Sequence, residues 1–208
     1  MRVSERGKTT LRVVPSMLVT AAMASIFLGI PLTLPSSADS AAQATVGKLS
    51  VKSNTFANGG PLPMSVVFNG SGCTGGNRSP ELTWGGEPSG TAAFAVILHD
   101  PDAPTATGWY HWVVFNIPPN VHELKEGAGA TGSPDLPAGA VLGLTDFGFS
   151  GYGGPCPPVG DRPHHYVFTV YALASKVDGG PKTTATALRS ATQGSTLATG
   201  TITGLYGR

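Results

Sequence analysis

Charge is scarce in this chain: Asp, Glu, Lys and Arg make up 12% of its 208 residues, against about 25% in ordinary soluble domains. Long salt-bridged helices are therefore not expected, and the surface must rely on uncharged polar groups. What charge there is comes out balanced, with Lys+Arg 13 against Asp+Glu 12. No basic field exists to hold nucleic-acid phosphates, which sets nucleic-acid partners aside. Cysteine is reduced to a single pair, and neither an HExxH nor a GxSxG motif occurs. Glycine (29) and proline (18) are abundant instead, which cuts a chain into short segments joined by turns and favours β over helical architecture. The length suits one ordinary domain and excludes a large multidomain assembly.

The charge balance conceals a division. Arg2, Arg6, Lys8 and Arg12, opposed only by Glu5, precede the uncharged run MLVTAAMASIFLGI from Met17 to Ile30 and then the small residues Ser36-Ser37-Ala38. This is the grammar of an export signal, with cleavage after Ala38. The alternative is an uncleaved anchor, since the run from Val13 to Leu34 is long enough to span a bilayer as a helix. The expected location is thus secreted or cell-envelope, with membrane association through the N-terminal segment if it is retained. Four of the basic residues and one acidic residue leave with residues 1–38, so the mature chain is mildly acidic. The expected organisation is a signal peptide or anchor over 1–38, an extension with a first strand over 39–63, and one domain over 64–208.

In an oxidising compartment Cys73 and Cys156 are expected to pair. Both sit in Gly/Pro-rich surroundings rather than in apolar core runs. The bridge would close a loop of roughly 84 residues, for which the chain-entropy treatment gives at most about 4.6 kcal/mol. Two buried free thiols are the alternative.

Three segments carry strong strand patterns: Ala93 to His99 (AFAVILH), His111 to Ile117 (HWVVFNI) and Tyr166 to Leu173 (YVFTVYAL). They are β-branched, aromatic and apolar on both alternating sets, which predicts strands buried on both faces. Residues 45–53 and the run MSVVF at 64–68 read as weaker strands, and 118–164 as loops. Ala185, Leu188 and Ala191 recur at helical spacing within 183–198, predicting one helix, followed by a last strand over 200–206.

Polar residues with chemical potential gather at the ends of the strong strands. Asp100 and Asp102 stand in His99-Asp-Pro-Asp-Ala-Pro104, a turn stiffened by Pro101 and Pro104. The short connection to His111 predicts an antiparallel return that brings this histidine back towards the turn. His164, His165 and Tyr166 precede or open the third strand. Strict alternation puts His164 and Tyr166 on one side and His165 on the other.

HDPDAPTATGWYHW resembles the signature of the phosphatidylethanolamine-binding protein family. NRSPELTWGGEPSGTAAFAV at 77–96, GYGGPCPPVGDRPHHYVFTVYAL at 151–173 and the closing ATGTITGLYGR are similar to its bacterial Raf-kinase-inhibitor-like (YbhB/YbcL) branch. The resemblance implies a mostly-β sandwich with a large central antiparallel sheet and a C-terminal helix. It also implies a small pocket at one end for a phosphate-bearing or other anionic ligand. By position, Asp100 and His111 match the pocket aspartate and histidine, and His164 and Tyr166 match the family's His-Arg-Tyr segment, with His165 replacing arginine. Relatives carry Gly-His near the final helix, where this chain has Gly194-Ser195.

The expected ligand-binding set is therefore Asp100, Asp102, His111, His164 and Tyr166. Imidazoles beside carboxylates tend to keep a proton, which would let them bond an anionic oxygen with Tyr166 as a neutral donor. A zwitterionic head group would place its ammonium on Asp100 or Asp102 and its phosphate on the histidines and tyrosine. No cofactor, metal or catalytic residue is expected. Two other classes stay open: an inhibitor of a protease or kinase that acts through its surface on a protein target, and a hydrolase holding a metal through Asp100, Asp102, His111 and His164. Trp84, Trp109 and Trp112 read as core or pocket-wall aromatics. Asp146-Phe147-Gly148 imitates the kinase magnesium motif without its companions and is read as coincidence.

Overall fold

The computed structural model describes residues 46–208, so the export signal or anchor over 1–38 lies outside the described residues. Its strands are β1 (Gly47–Lys48), β2 (Ser50–Lys52), β3 (Asn69–Gly70), β4 (Cys73–Thr74), β5 (Leu82–Gly85), β6 (Ala93–Asp100), β7 (Trp109–Ile117), β8 (Glu123–Leu124), β9 (Val141–Leu142), β10 (His164–Leu173) and β11 (Thr196–Tyr206), with helix α1 (Ala185–Thr192) between the last two. A large sheet has the order β1-β11-β10-β6-β7-β9, and smaller sheets are formed by β2-β5-β8 and β3-β4. All pairings are antiparallel except that of β1 with β11.

The apolar double alternation has the predicted consequence in β6 and β7, whereas β10 is buried on one face, with Val167, Thr169 and Tyr171 half-buried and His165 exposed on the other. Phe94, Val96 and Leu98 of β6 join Trp112, Val114, Phe168 and Trp84 in one core cluster. Ala95 and Ile97 turn the other way, to Val113, Phe115 and the helix residues Ala185 and Leu188. The two clusters make a layered structure in which β6 and β7 are covered on both faces. Each fully buried Phe, Leu or Ile contributes about 1.5–3 kcal/mol of transfer free energy.

Helix α1 is too short to be stable alone. The Thr184 side chain caps it by accepting a hydrogen bond from the Ala187 N–H at 3.2 Å, and Ala185, Leu188 and Thr192 are buried. The expected third contact, Ala191, is exposed, because the buried stripe steps from Leu188 to the residue four further on. The helix is shorter and the last strand longer than predicted, since the threonine-rich stretch after Gly194 joins the ladder with β10. Glu123-Leu124 pairs with β5 as a strand.

Met64 to Phe68 is apolar but forms turns rather than a strand. Its carbonyls accept the N–H groups of Gly75, Gly76, Asn77 and Arg78, and Val66 and Val67 are completely buried. Among the described residues no helix is long and apolar enough to cross a membrane.

Candidate ligand-binding cavity

The β6–β7 connection closes because residue 108 is glycine. It has φ +69°, and a Cβ there would strike the Asp100 carbonyl and the His99 ring. Asp100 lies opposite Trp109 in the strand register, so the acid at the end of one strand meets the start of the next. His111 follows two residues later on the same face as Trp109. From the neighbouring strand β10, His164 and Tyr166 arrive by the same two-residue alternation. His164 is 2% and Tyr166 0% exposed, whereas His165 between them is exposed.

These side chains line one cavity of about 260 Å³. Asp100, Trp109, His111, His164 and Tyr166 form its inner wall, on the large sheet. Ser71, Cys156, Pro157 and Pro158 form an outer wall, and Phe147 and the turn around Pro104 complete the lining. Cys73 and Cys156 are joined in a disulfide, with Cα atoms 6.0 Å apart.

Asp100 is held from two directions. Its Oδ1 accepts the N–H groups of Asp102 (2.9 Å) and Ala103 (3.2 Å), and its Oδ2 accepts from Nδ1 of His164 at 2.8 Å. Nε2 of His164 lies 3.4 Å from the Asp161 carboxylate. His111 is organised differently. Its Nδ1 faces two carbonyl oxygens, Gly153 at 2.9 Å and Gly154 at 3.1 Å. Carbonyls only accept, so Nδ1 carries the proton and the ring's remaining nitrogen, Nε2, is its acceptor. Burial pushes the pKa of His111 down to about 4, outweighing the Gly153 carbonyl and the Asp100 charge. The expectation that this imidazole stays protonated is thus corrected: desolvation exceeds the attraction of the carboxylate.

Two hydrogen-bonding groups of the inner wall have no partner. The Tyr166 hydroxyl and the Trp109 Nε1–H are buried and unpaired among the described residues. Burial, then the Asp100 charge and the nearness of its carboxylate to the hydroxyl, push the Tyr166 phenol well above its usual range, so it stays protonated; the hydroxyl stands beside Asp100 without completing a hydrogen bond to it.

The structure brings Asp100, His111, His164 and Tyr166 together but does not bring Asp102 into the lining. Its Oδ2 accepts the N–H and the ring Nδ1 of His165 (2.8 and 2.7 Å), and its Oδ1 accepts from Arg162 at 3.1 Å. The His165 main chain, then its ring, hold the Asp102 carboxyl below the usual range. Asp102 is therefore turned away from the cavity, while Asp100 enters its lining with three hydrogen bonds already made. His99 faces the opposite side, stacked on Tyr110 with ring centroids 4.4 Å apart.

Phe147, Trp109 and Asn77 are the site residues that sequence reasoning passed over or left general. The Asp146 carboxylate accepts the Tyr110 N–H at 2.7 Å, and this anchors the segment that carries Phe147 against His111, with ring centroids 5.3 Å apart. Asn77 bonds both Tyr152 O and Gly154 N, fixing the carbonyls that orient His111. A Cβ at Gly154 would collide with the Val66 carbonyl. The spacing of Trp109 and His111 was the available signal for the tryptophan; nothing local marks the other two. Among the described residues no three His, Cys, Asp or Glu side chains are arranged to hold a metal ion.

A model of the family described as phosphatidylethanolamine-binding protein matches residues 52–207. The chain belongs to the phosphatidylethanolamine-binding protein family. It is similar to YbcL of Escherichia coli (strain K12), 55% identical over 126 residues that cover 61% of this chain and 69% of YbcL. YbhB of the same strain is 48% identical over 121 residues, covering 58% of this chain and 75% of YbhB. The crystal structure of Escherichia coli YbcL has a TM-score of 0.75 at 46% identity, over 78% of this chain and 99% of that one. These likenesses place the chain in the bacterial YbhB/YbcL branch of the family.

Proposed function

We propose that this protein is an exported binder of a small phosphate-bearing ligand, of the kind found in phospholipid head groups, and that it acts without turnover. The observation that carries the reading is the pair of unpaired donors, Tyr166 O–H and Trp109 Nε1–H, in one cavity lining. Leaving a buried polar group unsatisfied costs about 1–3 kcal/mol, and an acceptor oxygen from a ligand removes that cost for both. Asp100 is already engaged by three donors, the Asp102 and Ala103 N–H groups and His164 Nδ1, which weakens its repulsion of an anion relative to a bare carboxylate. Neutral His111 contributes the complementary acceptor: Nε2 accepts a hydrogen bond from the P–OH of a singly charged phosphate monoester, which keeps its proton, while the other phosphate oxygens receive the two donors.

Size limits the ligand further. About 260 Å³ lies just below the roughly 300–1,000 Å³ of drug-sized sites, enough for a head group but not for a diacyl lipid. The side chains offer hydrogen bonds and no activated nucleophile, since both cysteines are joined. The basic residues before the uncharged run Met17 to Ile30 support export, with the protein freed by cleavage after Ala38 or held by the same segment as an anchor. The family membership supports a small-ligand site in general.

Calorimetric titration with O-phosphorylethanolamine tests this directly. Wild type is expected to bind, and Tyr166→Phe to bind about tenfold more weakly, the equivalent of one hydrogen bond. Affinity independent of both Tyr166 and His111 contradicts the reading. The intact mass of protein recovered from the culture medium and from membranes tests export and cleavage.

A further inference from the structure

The two walls of the cavity are built by different means. The inner wall belongs to the ladder of β6, β7 and β10. The outer wall does not: Ser71 sits in the turn of the two-residue strands β3 and β4, with φ +51° at Ser71 and +81° at Gly72. Facing it, Pro155, Pro157 and Pro158 have no N–H to donate, so this segment offers carbonyls that require donors from elsewhere.

The Phe68 N–H reaches Pro155 O at 3.0 Å and the Asp161 N–H reaches Pro158 O at 3.4 Å, and Arg208 supplies the donor for Pro157 O. Its Nε donates to Pro157 O at 2.6 Å, its Nη1 to Gly72 O at 2.9 Å and its Nη2 to Ser71 O at 3.4 Å. One planar guanidinium thus bridges both halves of the outer wall, and all three acceptors are main-chain carbonyls rather than carboxylates. The Arg208 carbonyl also receives the Gly160 N–H at 2.9 Å. The approach is close, since a Cβ on Gly72 would lie 3.3 Å from Nη1. The disulfide between Cys73 and Cys156 ties the same two segments beside it.

We propose that Arg208 is a positioning residue of the cavity: its forked side chain, acting beside the disulfide, holds the 70–73 turn and the 155–158 segment together as the outer wall. Arg208 does not line the cavity, so it acts on the ligand only through the wall, and this consequence rests on the ligand reading above. The guanidinium's fixed fork is what the role needs, and a lysine, with one flexible ammonium, cannot reach both segments with aligned donors.

The test combines two readouts on the oxidised full chain. Amide hydrogen exchange across 70–76 and 159–161 is expected to rise at least about tenfold in Arg208→Ala, while β10 and α1 stay unchanged, as for a local opening. The affinity for O-phosphorylethanolamine is expected to fall about tenfold, with Arg208→Lys close to the alanine variant rather than to wild type. Unchanged exchange in Arg208→Ala, or full restoration by lysine, overturns the proposal. If wild type fails to bind the probe yet exchange rises only at the wall, the ligand reading falls and the positioning role of Arg208 stands.

Discussion

His111 and His164 share a cavity but are opposite kinds of imidazole. His164 is bonded to the Asp100 carboxylate at 2.8 Å. His111 points its Nδ1–H at two neutral carbonyls, and burial depresses its pKa to about 4. Two histidines that look alike in sequence thus have distinct tasks. One donates a hydrogen bond to the aspartate, and the other presents an uncharged acceptor. The difference teaches that the partner of the far ring nitrogen, rather than the histidine itself, decides what the site can recognise.

Removing the carboxylate should break the His164 half first. Asp100→Ala leaves the His164 Nδ1–H and two main-chain N–H groups without their acceptor, so a loss of about 2–5 kcal/mol of folding stability is expected in urea unfolding. A loss below about 1 kcal/mol would mean that the pair contributes little.

The His111 half should show itself through pH. The unfolded ring titrates near its ordinary 6.5 and the folded one near 4, so between those values the unfolded state binds more protons. Stability is therefore complete above about pH 6.5 and falls as the pH drops towards 4, by up to about 3 kcal/mol. His111→Gln should flatten that slope in unfolding curves recorded at several pH values, whereas a raised folded pKa would give the opposite sign.

The outer wall extends the comparison to a region held by covalent and side-chain ties. Replacing both cysteines by serine is expected to cost about 2–5 kcal/mol and to lower the thermal midpoint. Hydrogen exchange should locate the loosening at 69–76 and 155–160, leaving the inner strands protected.

The smallest effect is the most discriminating. Tyr166→Phe deletes a buried, unpaired hydroxyl and should leave the free protein as stable or more stable by up to about 1 kcal/mol. The same change weakens phosphate-ester binding. A variant weakened in both respects would place Tyr166 in the core network instead of the site.

Much of this arrangement was legible in the sequence. The double apolar alternation of AFAVILHD encodes a strand covered on both faces, that of YVFTVYAL overstates the cover, since Val167, Thr169 and Tyr171 are half-buried, and two-residue alternation assigns His164 and Tyr166 to one side with His165 on the other. Asp102 misled because it lies in the turn after β6, where alternation no longer applies, and its main chain folds back onto Asp100 while its carboxylate turns to His165. Burial could not be read from the HDPDAP motif, so the charge state of His111 was anticipated from its neighbour and came out reversed. Phe147 and Asn77 depend on contacts with strands and loops far along the chain, and Met64 to Phe68 is as apolar as a strand but gives its carbonyls to a returning loop.

The central claim is that a ligand oxygen completes the two unpaired donors of the cavity. Three indoles, Trp84, Trp109 and Trp112, lack hydrogen-bond partners, but only Trp109 among them lines the cavity, which supplies an internal control. In nitrogen–proton correlation spectra recorded during titration with O-phosphorylethanolamine, the Trp109 indole proton should move downfield along the same saturation curve as the calorimetric heat, with the other two unmoved. Saturable binding that leaves the Trp109 resonance in place would contradict the account.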